Sequence, residues 1–106
     1  MRYTIKPLKK ENDLNKILKT QRNTQEDVHI LFLSLWDEHC ELLKERLTAK
    51  YGKSERGQSV YLVDSFNMPH SFVIFNSLKA PSLVSVVRGK VTKEDYLPRI
   101  YKKFSL

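Results

Sequence analysis

The spacing of apolar residues along this chain predicts alternating strands and helices. Residues 28–35, VHILFLSL, are apolar except for His29 and Ser34, which is typical of a strand buried on both faces of a parallel sheet. The runs SVYLV, HSFVIF and SLVSVV have the same character, and the first residues alternate as in a short strand that ends near Pro7. Strands are therefore predicted over residues 2–6, 28–35, 59–63, 70–75 and 82–87.

Two segments between these strands have helical spacing instead. Leu14, Ile17 and Leu18 follow the i, i+3, i+4 pattern of one helix face and predict a helix from about Asn12, followed by a polar connection. A second helix is predicted over residues 40–51, where the apolar stripe consists of Leu43, Leu47 and Tyr51 and Gly52 supplies the stop.

The last helix is predicted from an apolar stripe near the end of the chain, formed by Leu97, Ile100, Tyr101 and Phe104. Arg88-Gly89 is expected to be a turn, and Thr92 with Asp95 is expected to form a capping box. Pro98 is tolerated only in the first turn, so the regular helix is expected to begin at about Asp95.

The order of elements is strand, helix, strand, helix, strand, strand, strand, helix. Strands that alternate with helices require parallel pairing with crossovers, while closely linked strands near the end require an antiparallel hairpin. The sequence therefore predicts an α/β fold with a mixed sheet covered by helices. Residues 1–106 are expected to form one domain, because a chain this short supports a single core.

Composition narrows the function classes. The chain is 41% hydrophobic and 29% charged, and no apolar run approaches the roughly 18 residues of a membrane span. A single cysteine cannot form an internal disulfide, and the N-terminus has no signal-peptide core, so a cytoplasmic location is expected. Three dispersed histidines have no metal-ligand spacing, so neither a metal nor a bound cofactor is expected.

The formal net charge of +7 suggests nucleic-acid binding at first sight. The 19 Lys and Arg residues are scattered, however, with short pairs only at Lys9-Lys10 and Lys102-Lys103 and acidic residues interleaved between them. A solvated basic surface is favoured over nucleic-acid binding, which stays open as a weaker alternative.

The residues around the only cysteine resemble a known family. In WDEHC, Trp36 stands four residues before Cys40; Met68-Pro69 precedes a predicted strand, and Gly89 lies in a turn before the last helix. This order is similar to thioredoxins, in which a tryptophan stands four residues before the first cysteine of a Cys-Gly-Pro-Cys motif at a helix start. A cis proline then opens the next-to-last strand. The resemblance covers almost the whole chain and implies a thioredoxin-like three-layer fold, with helices on both faces of the sheet.

The sequence departs from that family at four places. Leu43 replaces the second cysteine, Ser34 stands where the family has a buried acid, and His39 precedes the cysteine in place of another tryptophan. Only SFNM separates the SVYLVD strand from Pro69, so the family's helix before the cis-proline strand is expected to be shortened or missing. A self-resolving dithiol cycle is not expected, because Leu43 cannot release a mixed disulfide.

Two functions remain. The leading interpretation is a monothiol cycle of thiol-disulfide exchange on protein disulfides, with glutathione as a candidate co-substrate. The alternative is a redox-inactive binding module that holds a partner protein in the same groove, with Cys40 as a small buried hydrophobe. A helix N-terminus stabilises a thiolate, but the negative charges of Asp37, Glu38 and Glu41 destabilise it. We therefore expect the pKa of the Cys40 thiol not to be lowered.

The resemblance implies a role for each site residue. The catalytic pair would be the nucleophile Cys40 with His39 beside it. The substrate or partner chain would contact Trp36, Met68, Pro69, Arg88 and Gly89, with Met68-Pro69 offering backbone for strand-like pairing and Arg88-Gly89 forming the far wall.

Overall fold

The computed structural model describes residues 2–24, 26–34, 36–53, 56–65, 67–69 and 80–106. Its strands are β1 (Tyr3–Pro7), β2 (Val28–Leu33), β3 (Gln58–Asp64), β4 (Ser82–Val87) and β5 (Lys90–Glu94). Its helices, among the residues described, are α1 (Glu11–Thr24), α2 (Glu38–Tyr51) and α3 (Leu97–Lys103).

The strands form one five-stranded sheet in the order β1-β3-β2-β4-β5. β3 pairs in parallel with both β1 and β2, whereas β4 is antiparallel to β2 and β5 is antiparallel to β4. The mixed sheet with crossovers is confirmed. Its hairpin joins β4 to β5, whereas the predicted hairpin joined residues 70–75, which lie outside the described residues, to residues 82–87. β2 lies at its centre and is buried along its whole length, as its apolar sequence predicts.

Two hydrophobic clusters cover the two faces of the sheet. One cluster joins the sheet to α2 and α3 and includes Leu31, Leu47 and Phe104. The other joins the sheet to α1 and includes Leu14, Phe32 and Val63. Alternate residues of one strand point to opposite faces, so Leu31 and Phe32 belong to different clusters. Helices on both faces give the three layers that were expected.

The region after β4 differs from the prediction in one element. Arg88 and Gly89 have φ angles of 53° and 77°, and positive φ at both positions is typical of the type I′ turn that joins hairpin strands. The expected capping box at Thr92 and Asp95 is wrong, because Lys90–Glu94 is the strand β5. Its nearly all polar residues lie on an exposed sheet edge, so they show no apolar alternation.

The start of α3 is also shifted from the prediction. The helix begins at Leu97 rather than near Asp95, and Tyr96 occupies the N-cap position without a side-chain capping hydrogen bond. Pro98 lies in the first turn, as expected, where its missing N–H costs no helical hydrogen bond.

The connection between β3 and β4 is longer than the sequence suggested. β3 and β4 flank β2 on opposite sides, so residues 65–81 link the two flanking strands and the expected SFNM linker is wrong. The strand predicted over HSFVIF and most of the loop after it fall in residues 70–79, outside the described residues. The expected shortening or loss of the family's helix before the cis-proline strand also concerns this connection, most of which lies outside the described residues.

A polar network is buried near the amino-terminal end of β2. His29 is 1% exposed, and its Nδ1 and Nε2 lie 2.8 Å from Ser85 Oγ and 2.7 Å from Gln58 Oε1. Gln58 Nε2 donates to Asp27 Oδ2, which turns the amide oxygen toward the imidazole; Nε2 of the neutral ring therefore carries the proton. Burial lowers the pKa of His29, and the positive charge of Lys103 lowers it further. The hydrogen bond to Gln58 and the charge of Asp27 act in the opposite direction and raise it.

Candidate functional site

The register of the sheet brings three connections to one end of the molecule. Phe32 near the end of β2 pairs with Ser82 at the start of β4, and Leu83 pairs with Glu94 at the end of β5. The residues that follow β2, precede β4 and follow β5 therefore share this end of the sheet. They include Trp36, Pro81 and Tyr96, and α2 begins in the same place.

α2 begins earlier than the sequence predicted. Asp37 is its N-cap, and the Asp37 carboxylate accepts a hydrogen bond from the backbone N–H of His39 at 2.8 Å. Glu38 and Glu41 lie in the first turn, where negative charge stabilises the helix. Cys40 is therefore the third helical residue, and the position that opens the helix, where the thioredoxin motif has its first cysteine, belongs to Asp37.

Cys40 faces the interior of the protein. Its side chain is 1% exposed and belongs to the cluster between the sheet and α2, together with Leu33, Leu43 and Leu47. Cys40 stands three residues before Leu43 and seven before Leu47, so it continues their apolar stripe. The sequence contained this signal, and the stripe predicted from Leu43 onward could have been extended back to Cys40.

The electrostatics of the thiol follow from this burial. Burial raises the pKa of Cys40, and the charge of Asp37 raises it further, while a hydrogen bond from the backbone of Ser34 acts in the opposite direction. The expectation that the thiol pKa is not lowered agrees with this direction. Its main cause is loss of hydration rather than the neighbouring carboxylates.

Trp36 and His39 lie on the surface above the buried thiol. Trp36 is 84% exposed and His39 is also exposed, with its backbone held by Asp37. An aromatic ring and an imidazole are therefore available to solvent at the start of α2, whereas the sulfur is not.

The groove residues expected at Met68 and Pro69 need correction. The cis peptide bond among the described residues is Ala80-Pro81 rather than Met68-Pro69. The physical reason is the register: the strand that pairs with β2 begins at Ser82, so the proline that opens it is Pro81. Met68 is fully buried and belongs with Leu14 to the α1 cluster, on the face of the sheet opposite Cys40.

The expectation that Arg88-Gly89 forms the far wall of the groove beside Cys40 is also wrong. This turn follows β4, whose last residues pair with the start of β2, so it lies at the opposite end of the sheet. Arg88 donates its backbone N–H to the carboxylate of Asp27, the residue before β2, at 3.4 Å. The connection that reaches the Cys40 end is instead the one after β5, which includes Tyr96, 57% exposed.

Sequence reasoning missed Asp37, Pro81 and Tyr96 as members of this surface. A signal existed for two of them: Asp37 precedes an acidic first turn, and Pro81 directly precedes the apolar run SLVSVV. Tyr96 had none, because its place depends on the unrecognised strand β5.

Within the described ranges, no group of three His, Cys, Asp or Glu side chains is arranged to hold a metal ion, and no helix is long and apolar enough to cross a bilayer.

Comparison by sequence finds no counterpart for this chain: no protein-family profile and no curated protein matches it. Comparison by structure does. Thioredoxin NaTrxh from Nicotiana alata superimposes with a TM-score of 0.76 at 13% identity, over 99% of this chain and 93% of that one. Thioredoxin O2 from Arabidopsis thaliana gives 0.73 at 19% identity, over 95% of this chain and 91% of that one.

Schistosoma mansoni thioredoxin gives a TM-score of 0.75 at 15% identity, over 96% of this chain and 94% of that one. At such identities the likeness concerns the backbone path. The chain has the thioredoxin fold, with one buried cysteine.

Proposed function

We propose that this thioredoxin-fold chain is a redox-inactive binding module that holds an extended segment of a partner protein at the Trp36 end of its sheet. The observation that carries the proposal is the contrast in exposure at the start of α2. Trp36 is 84% exposed, whereas the Cys40 side chain is 1% exposed. The part of this surface open to a partner is aromatic, and the thiol lies beneath it.

The buried thiol is poorly suited to disulfide exchange. Exchange needs a thiolate that can approach a substrate sulfur directly, and its rate depends on both the thiolate fraction and access. Burial raises the pKa of Cys40 and removes the access. Asp37 at the helix start accepts a hydrogen bond from the backbone but cannot act as a sulfur nucleophile.

The exposed aromatic residues favour a binding role. Large aromatic side chains contribute most of the binding energy in many interfaces, and both Trp36 and Tyr96 lie at this end of the sheet. Asp37, Glu38 and Glu41 lie next to Trp36 and carry negative charge, so this surface does not favour an acidic segment. A partner segment that is extended and has an apolar residue for Trp36 fits these properties best.

Selection from a random-peptide library without cysteine tests the proposal. The selected peptides should bind the wild type and Cys40→Ala with similar affinity. Trp36→Ala should weaken binding about tenfold or more, the loss typical of an exposed aromatic anchor. Leu42→Ala is the matched control, since Leu42 is also an exposed apolar residue of the same region, and it should bind normally.

The monothiol cycle is the competing function, and the same protein can be used to test it. Incubation in a glutathione redox buffer, read by intact mass, should leave the folded wild type without a glutathione adduct. Stoichiometric glutathionylation of Cys40 in the folded state would contradict the binding-module proposal. So would a set of selected peptides whose binding is unchanged by Trp36→Ala.

A further inference from the structure

A cavity of about 690 Å³ lies between one side of α2 and the carboxyl ends of the parallel strands β1, β3 and β2. Leu8 follows β1, Leu33 ends β2, and Leu62 lies near the end of β3; Ala49 belongs to the wall that α2 provides. Ligands of open α/β folds bind outside the carboxyl ends of strands, and small-molecule sites measure roughly 300–1,000 Å³. The position and the size are both those of a small-molecule site.

The floor of the cavity is apolar and offers few polar atoms. Leu33 and Leu62 of the α2 cluster line it, and Cys40 and Val63, both almost fully buried, also border it from the two clusters on opposite faces of the sheet. Ser34 also lines the cavity, and its hydroxyl makes no hydrogen bond to another described residue. A ligand that fills this space must therefore be mainly apolar, with room for one polar group at Ser34.

The charges around the cavity do not favour an ion. Lys9 and Lys44 contribute positive charge to its lining, and Glu41 and Glu45 contribute negative charge. The carboxylate of Asp64, which also lines it, is already bonded by the backbone and side-chain amides of Asn67 at 2.9 and 2.7 Å. Amides carry no charge, so the Asp64 carboxylate remains negative, and three carboxylates with two ammonium groups leave the lining without the excess positive charge that an anion needs. An ion of either sign would also lose hydration against the apolar part of the lining.

We infer that this cavity is a binding site for one small, uncharged, mainly apolar molecule that carries a single hydroxyl or carbonyl group, with that group bonded to Ser34. The site is separate from the Trp36 surface and uses none of its exposed side chains. Binding here and peptide binding there can therefore succeed or fail independently.

Titration with N-phenyl-1-naphthylamine, an uncharged probe whose fluorescence rises in apolar surroundings, tests the site. One molecule should bind per chain. Ala49→Trp places a large side chain in the cavity and should weaken binding about tenfold or more. Leu42→Trp adds the same indole on α2 outside the cavity lining and should leave binding unchanged. Absence of binding, or equal binding by both variants, would overturn the inference.

Competition distinguishes the ligand class. Uncharged 1-naphthol should displace the probe at a concentration about tenfold or more below that needed for anionic 1-naphthalenesulfonate. Ser34→Ala should weaken 1-naphthol roughly 3- to 10-fold, the usual effect of one lost hydrogen bond, and leave naphthalene unaffected. This variant removes one hydroxyl and does not depend on tolerance of a bulky substitution. Tighter binding of the sulfonate, or an unchanged 1-naphthol affinity in Ser34→Ala, would refute the assignment.

Discussion

The Cys40 thiol is expected to react with iodoacetamide only when the protein opens. The side chain is 1% exposed in the folded chain, so the reagent cannot reach the sulfur directly. Domains of this size unfold with about 5–15 kcal/mol, and local openings cost less. An opening of only about 3–4 kcal/mol would slow alkylation roughly 140- to 700-fold, because each 1.4 kcal/mol is a factor of about ten.

The raised pKa of Cys40 adds to this protection, since it reduces the thiolate fraction near neutral pH. Intact-mass measurements of alkylation should give a native rate at least about 100-fold below that of the urea-unfolded chain at the same pH. The rate should rise steeply as urea populates open states. A native rate within about tenfold of the unfolded rate, or a pH midpoint below about 7, would refute the assignment of Cys40 as a core residue.

A matched variant moves the thiol to the helix start. Asp37→Cys in a Cys40→Ala background places sulfur at the N-cap, where free backbone N–H groups stabilise a thiolate. Asp37 is only half-buried, so this thiol should react much faster than Cys40 and with a lower pKa. If it reacts as slowly as Cys40 in the wild type, burial is not the cause of the protection.

Three further measurements check other parts of the account. Burial lowers the pKa of His29, so the unfolded chain binds the proton more tightly, and the free energy of unfolding should fall as the pH drops below about 6.5. That fall should be smaller in His29→Gln and retained in His39→Gln, which removes an exposed histidine; equal pH profiles would contradict it. Leu47→Ala should cost about 2–5 kcal/mol in urea unfolding, against under about 1 kcal/mol for the exposed Leu42→Ala. Asp37→Ala should cost about 0.5–2 kcal/mol, most of it recovered in Asp37→Ser, and a loss unchanged by serine would argue against capping.

Much of the fold follows from local spacing in the sequence. The apolar run at β2 predicts a strand buried on both faces, and the stripe Leu43, Leu47 and Tyr51 predicts the buried side of α2. The order of the strands and helices then favours parallel crossovers and a closing hairpin. These features depend on periodicities of two and 3.6 residues, which are visible without knowing the tertiary contacts.

The candidate site was predicted less well, because its residues are selected by pairing over long distances in the chain. Pro69 and Pro81 both precede apolar runs, and only the pairing of Ser82 with Phe32 decides that Pro81 opens the strand beside β2. Arg88-Gly89 was correctly predicted as a turn, but which end of the sheet it occupies depends on the direction of β4.

The sequence by itself determined that one cysteine stands near the start of a helix after a buried strand. Its spacing from Leu43 and Leu47 also placed it on their buried stripe. Only the tertiary structure decided that the helix begins at Glu38 instead of Cys40, so that Asp37 and not the cysteine occupies the N-cap. Packing against β2 then fixes Cys40 inside and leaves Trp36 outside, and the proposed binding function rests on this arrangement.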